Sequence, residues 1–163
     1  MELINTRRSV RKYKNDKLNR DDIMKVLKAG MQAPSARNQQ PWEFIVIEDL
    51  KIIEKIKLVS SGAKNIENAP CVIAVLFKDN IEVPFNFFAV QDLGACVQNI
   101  LLEATHLQLG SLWVGVHNDR QKAFQEAAET NKNIYAFIAL GYPENNEVFK
   151  FVDRFDEAKI SFK

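Results

Sequence analysis

The sequence predicts a layered domain of the α+β or α/β class, with one sheet covered by helices. Helical and strand-like segments alternate along the chain, one strand is apolar at every position, and one long helix is apolar around most of its surface. At 163 residues, 47% hydrophobic and 26% charged, the chain is expected to form a single domain over 1–163. A domain of this size buries about 68–70% of the surface its unfolded form exposes, so it needs no disulfide or metal staple.

The elements follow in order. Asp21 and Asp22 open a helix whose apolar positions Ile23, Val26, Leu27 and Met31 recur at helical spacing, and Pro34 ends it. A polar stretch from Pro34 to Pro41 leads into a strand over Trp42–Ile47. A helix over about 49–59 puts Ile52, Ile53, Ile56 and Val59 on one side. Pro70 introduces the strand Cys71–Phe77, whose unbroken apolar run predicts a central position with both faces covered. From Phe85 to Leu109 runs the longest helical pattern, with Ala89, Leu93, Cys96, Val97, Ile100, Ala104 and Leu107 on one stripe and Phe88, Ala95, Leu102 and Leu109 on others. A helix apolar on most sides is buried on most sides. One small domain has difficulty enclosing it, which predicts a homodimer with this helix at its centre; enclosure within one subunit is the alternative. A strand over Leu112–Val116, a short helix near 119–128 and a strand over Ile134–Leu140 follow, and with a helix ahead of Asp21 the expected order is α-α-β-α-β-α-β-α-β.

The near balance of 22 basic and 21 acidic side chains hides an uneven distribution. Residues 1–20 carry seven basic groups against two acids, and the remainder carries fifteen against nineteen. Four of the seven arginines lie in that first segment, and arginine suits bidentate contact with phosphate or carboxylate. Other chemistries lack their residues. Cys71 and Cys96 lie in apolar runs without C-x-x-C spacing and His106 and His117 are isolated, which predicts buried inert thiols and no zinc site. No G-x-G-x-x-G or G-x-S-x-G occurs, and Gly110–Gly115 has the glycine spacing of a P-loop but is followed by Val116-His117 instead of Lys and Ser/Thr. A nucleotide-like ligand is therefore not held by a glycine loop. The longest apolar stretches fall short of the ~20 residues that cross a bilayer, and Met1–Asn5 lacks a signal-peptide core, which predicts a cytoplasmic protein with no membrane partner.

Two constellations stand out. Thr6-Arg-Arg-Ser-Val-Arg11 offers three guanidinium groups and hydroxyls, enough to neutralise a phosphate dianion, although taken alone it reads more simply as a solvated basic helix end. Nucleic acid is a poorer partner, because only Tyr13 is aromatic nearby and the rest of the chain is net acidic. Pro34-Ser-Ala-Arg-Asn-Gln-Gln-Pro-Trp42 packs amide, hydroxyl and backbone donors between two prolines, suited to the polar edges of a heterocycle. An ordinary helix-to-strand connection explains it equally well.

Arg7-Arg-Ser-Val-Arg11, Ala33-Pro-Ser-Ala-Arg-Asn-Gln-Gln-Pro-Trp-Glu-Phe44, Gln91-Asp-Leu-Gly-Ala-Cys-Val-Gln-Asn-Ile-Leu-Leu102, Leu109-Gly-Ser-Leu-Trp-Val-Gly115 and Leu140-Gly-Tyr-Pro143 resemble the successive signature blocks of the nitroreductase family, in order and over nearly the whole chain. Members of that family are FMN-dependent oxidoreductases of α+β fold, built as homodimers with two active sites at the subunit interface. The resemblance implies that Arg7, Ser9 and Arg11 hold the FMN phosphate, with Arg8 at its ribityl side and Arg154 a further phosphate ligand. It implies that Pro34, Ser35, Ala36 and Asn38 come from the partner subunit to lie against the flavin ring. It also implies that a Trp113-Val114-Gly115 turn brings backbone groups to the ring's N5 edge, where glycine permits close approach. The implied activity is ping-pong transfer of hydride from NADH or NADPH, through flavin N5, to a nitroaromatic, quinone or similar small aromatic acceptor. Reductive dehalogenation, as in another branch, and non-catalytic FMN storage are the alternatives. No acid-base side chain is required, and no catalytic residue is assigned. Two positions depart from the family pattern: Gln108 stands where glycine is common, and Arg37 puts a bulky cation in the flavin-side loop. The chain is also short for the family, which implies an open or partner-shaped pocket.

Overall fold

The computed structural model describes residues 2–66, 68–79, 85–145 and 149–163. A short helix, α1 (Glu2–Thr6), precedes α2 (Arg20–Met31). The cap of α2 is Asn19: its backbone is extended and its side chain accepts the Asp21 N–H at 2.9 Å, which leaves Asp21 and Asp22 in the first turn where the helix dipole favours them. Asp49 caps α3 (Leu50–Val59) in the same way, accepting the Lys51 N–H at 2.8 Å.

Four strands, β1 (Trp42–Ile47), β2 (Cys71–Phe77), β3 (Gly110–Gly115) and β4 (Ile134–Gly141), form one sheet in the order β1-β2-β4-β3. Every neighbouring pair is antiparallel, so the fold is α+β and the α/β alternative falls away. The helices α4 (Ala89–His106) and α5 (Gln121–Ala127) complete the layers. On one face of the sheet Ile23, Val26 and Leu27 of α2 and Leu93, Val97 and Ile100 of α4 pack on Cys71, Ile73 and Val75 of β2. On the other, Ile53 and Ile56 of α3 and Phe124 of α5 pack on Val72, Ala74 and Leu76. Both faces of β2 are therefore apolar because both carry helices, and each such side chain contributes about 1.5–3 kcal/mol on burial.

The long helical pattern divides in two. Phe85–Phe88 forms a separate 3₁₀ turn, and α4 starts only at Ala89. Of the eighteen residues of α4 only Val90, Gln91 and His106 are exposed, so one copy of the chain already covers most of the helix. Gly30 makes this possible: a Cβ there would lie 2.7 Å from Cγ1 of the fully buried Ile100, so only glycine lets α2 approach α4 this closely. At its end the chain turns through Gln108 with φ 58°, the Leu109 N–H donating to Ala104 O at 2.8 Å and the Gln108 N–H to Thr105 O at 3.1 Å. That bond pair defines a Schellman ending, whose left-handed position favours glycine. A left-handed side chain costs roughly 1–2 kcal/mol and glycine loses roughly 0.5–1 kcal/mol in unfolded-state entropy, so Gln108→Gly is expected to stabilise by up to about 1 kcal/mol, read as a small rise in the urea midpoint at constant slope.

Leu109 belongs to the turn, and β3 begins at Gly110, two residues earlier than the pattern predicts, because Gly110 and Ser111 pair with Gly141 and Leu140. Between Val75 and Leu76 the β2–β4 register shifts: Val75 faces Ala136 while Leu76 faces Ile134. Tyr135 is the extra residue, and this bulge turns its ring toward Phe77 and Trp113, at centroid distances of 5.8 and 5.9 Å. Cys71 and Cys96 are free and fully buried, and burial pushes both thiols up to about 12. Neither is expected to react with a thiol reagent until the protein unfolds, a prediction read by comparing native and denatured titrations. Because the folded thiols hold their protons more tightly than the unfolded ones, stability is expected to be unaffected by them below pH 9 and to fall as pH rises from 9 toward 12. Among the described residues, no helix is long and apolar enough to cross a membrane.

Candidate active site

The basic segment is laid along the free edge of β3. Ser9 bridges Ser111 in parallel fashion, and the Val10 N–H donates to Ser111 O at 3.0 Å. Further on, Tyr13 bridges Pro143, and its hydroxyl donates to Val10 O at 2.5 Å. Gly110 allows the approach, since a Cβ there would lie 2.7 Å from Cγ1 and 2.9 Å from Cβ of Val10. Pinned in this way, the segment brings its arginines together with one from far along the chain. Burial pushes the Arg7 guanidinium below its ordinary pKa, and repulsion from Arg154 and then from Arg8 pushes it further the same way. Arg8 donates to the carbonyls of Arg7 and Lys150, tying 149–154 to the N-terminal segment. Arg11 donates to Ser9 O at 3.4 Å, and the buried hydroxyl of Ser111 has no partner among the described residues.

The loop over 34–40 is held elsewhere, against the start of α4. Ala36–Asn38 makes a 3₁₀ turn, and Arg37, Asn38 and Gln40 adopt φ of 50, 57 and 50°. Left-handed non-glycine residues cost roughly 1–2 kcal/mol each, so three in four positions persist only where contacts hold them. Ser35 Oγ accepts the Gln40 N–H at 3.0 Å, and Asp92 Oδ2 accepts the Ala36 N–H at 3.1 Å. Pro34, Ser35 and Ala36 line an open hollow of about 360 Å³ with Phe88, Gln91, Asp92 and Ala95.

Trp113, Val114 and Gly115 lie within β3, not on a turn, because all three pair with β4. Val114 points into the core beside α3 and α5, while Trp113 is 38% exposed on the α4 side. Among the described residues, nothing lies within 4 Å of a Cβ on Gly115, which leaves room beside the strand end. Trp113 and Gly115 border a hollow of about 300 Å³ with Phe77, Val90, Asn118 and Tyr135.

Arg7, Arg8 and Arg154 thus come together, with Ser9 and Arg11 further along the same edge segment, while the loop and the end of β3 line separate hollows that each border α4. Two residues of the site and one element of the fold escape sequence reasoning. Asp92 sits in an amphipathic helix where its partner, 56 residues away, has no sequence signature, and Tyr135 is aimed by a bulge. The turn Ala63–Ile66 is too short for periodicity; it buries Ala63 and Ile66, packs on α3 and β3, and leaves Lys64 exposed.

Residues 4–63 and 59–142 match the family model described as the nitroreductase family. The chain belongs to the nitroreductase family, whose members are flavin oxidoreductases. A protein of Archaeoglobus fulgidus provisionally named NADH dehydrogenase/NAD(P)H nitroreductase is 38% identical over 166 residues, covering 98% of this chain and 95% of its own. A solved structure from Clostridium acetobutylicum, provisionally titled an NADH oxidase, is 42% identical with a TM-score of 0.90, over 99% of this chain and 98% of that one. A provisionally titled nitroreductase from Desulfovibrio desulfuricans, solved in complex with FMN, is 28% identical with a TM-score of 0.86, over 99% and 94% of the two chains.

Proposed function

We propose that this chain is an FMN-dependent oxidoreductase working in the cytoplasm, its 163 residues forming one flavin-binding domain that acts as a homodimer. The observation that carries this reading is the setting of Arg7, partly buried on the β3 edge, with Arg154 and Arg8 close enough to repel it: like charges so placed suit an anion, and the FMN phosphate would supply it. The fit extends to the ring, because the open space beyond Gly115 leaves room for a flat group at backbone distance. Arg7, Ser9, Arg11 and Arg154 would hold the phosphate, Arg8 the ribityl side, and the Trp113–Gly115 backbone the ring edge. The chemistry FMN supplies when bound is ping-pong hydride uptake from NADH or NADPH and delivery to a nitroaromatic, quinone or similar small aromatic acceptor. The chain's own part is to bind and orient the cofactor.

Two features support the shared site. Within one copy the 34–38 loop is fastened to the start of α4, whereas the arginines are fastened to the β3 edge and to 149–154, an arrangement that suits a second copy's loop as the cover of a bound ring. In addition, Phe151, Phe155, Ile160 and Phe162 are all exposed on the segment tied to Arg8, an apolar surface suited to a second copy. The test is spectral. Purified protein should be yellow or take up FMN, and should bleach anaerobically with NADH or NADPH and recover with a quinone or nitroaromatic acceptor. A colourless protein that FMN cannot reconstitute sinks the reading, and a yellow protein that neither nicotinamide bleaches reduces it to storage.

A further inference from the structure

Asp92 occupies the first turn of α4, where the helix dipole favours a carboxylate. Its bond to the Ala36 N–H at 3.1 Å crosses 56 residues of sequence and fastens the loop immediately before its left-handed residues Arg37, Asn38 and Gln40. The bonds from Asn38 N–H to Ser35 O and from Gln39 N–H to Ala36 O lie inside the loop: they shape it without anchoring it to the fold. A loop so shaped relaxes if untied, and a ligand it covers must then bear the cost of ordering it again.

We infer that Asp92 is a positioning residue, locking the loop over 34–40 to α4 in the shape in which it covers the flavin of a second copy. The inference rests on the shared-site reading above. Its chemistry asks only for an acceptor oxygen at this point, which asparagine also offers. With FMN as the probe, Asp92→Ala is expected to weaken flavin affinity by about tenfold or more and to shift the visible flavin band, whereas Asp92→Asn stays within about threefold of the parent. Ser35→Ala, which loosens the same loop without touching α4, should shift the band in the same direction and serves where Asp92→Ala fails to fold.

A mixing experiment then assigns the loop to its site. Arg7→Ala and Asp92→Ala chains, each depleted of flavin, are unfolded together and refolded. If the loop of one copy covers the cluster of the other, each mixed dimer contains one site with neither substitution, and about a quarter of all sites regain parental affinity. Parental affinity and an unshifted band in Asp92→Ala overturn the inference, as does an Asp92→Asn protein as impaired as Asp92→Ala. Mixed dimers that regain no site show that the loop serves its own copy, and overturn it too. An Arg7→Ala protein that keeps FMN overturns instead the phosphate reading on which it rests.

Discussion

Replacing Arg7 with alanine is expected to weaken FMN retention by about tenfold to a hundredfold while leaving the flavin-free protein as stable as before, or more so. The two effects have opposite signs for one reason. With no anion present, Arg7 is partly buried beside Arg154 and Arg8, and its charge is unfavourable there. Removing it relieves both burial and repulsion. With a phosphate present, the same charge makes a charge-assisted contact worth about 1.5–3 kcal/mol, which the alanine variant forfeits. Arg154→Ala should behave alike, because it is the stronger of the two charges acting on Arg7. Fluorescence titration of the apoprotein with FMN gives the affinity, and urea unfolding of the same apoprotein gives the stability. A variant that loses stability in the absence of flavin and retains its affinity would show that these arginines serve the fold instead. Raising the salt should narrow the gap between parent and variant, since screening weakens the attraction and the repulsion together.

Gly110→Ala is the second large effect, and it couples fold to site. The new methyl would sit 2.7 Å from Cγ1 and 2.9 Å from Cβ of Val10. A rotamer change moves Cγ1 but not Cβ, so the clash can be relieved only by shifting backbone. Forcing a methyl into a packed position costs about 1–3 kcal/mol, and the part that gives most easily is the Ser9–Val10 stretch at the sheet edge. A destabilisation of this size is therefore expected together with weaker FMN binding, because Val10 carries Arg7, Ser9 and Arg11 with it. Unfolding curves and FMN titration on one preparation check both. Destabilisation with parental affinity would mean that β3 yields and the basic segment stays in place.

How much of this was legible beforehand depends on the distance over which each feature is determined. β1 and β2 are found to the residue, because the local pattern and a preceding proline define both ends. The order of helices and strands follows from the same local signals. Strand direction does not, because the unbroken apolar run of β2 says only that both faces are covered, and an antiparallel sheet with helices on each side satisfies that as well as a parallel one. The start of α4 is misplaced because Phe85–Phe88, three of its four residues aromatic, continues the apolar pattern of the helix but turns as 3₁₀. At the site, Arg7 and Arg11 are conspicuous as a local excess of charge. Arg154 has no local signal: it lies 147 residues from Arg7 and becomes its neighbour only once the chain is folded. The resemblance supplied that pairing, while composition and spacing could not. The departure at Gln108 has a plain account in the Schellman ending of α4, where a left-handed residue is required and a side chain is tolerated at a cost.

The repulsion gathered around Arg7 also bears on supply. A ligand that binds only the folded chain stabilises it in proportion to the logarithm of its concentration over its dissociation constant, and a phosphate held as proposed would also neutralise the charges set around Arg7. Freshly made chains in a flavin-starved cell would carry this burden unrelieved and be the first exposed to proteases. Steady-state abundance would then follow vitamin status without any change in transcription, with the arginine cluster as the link between them.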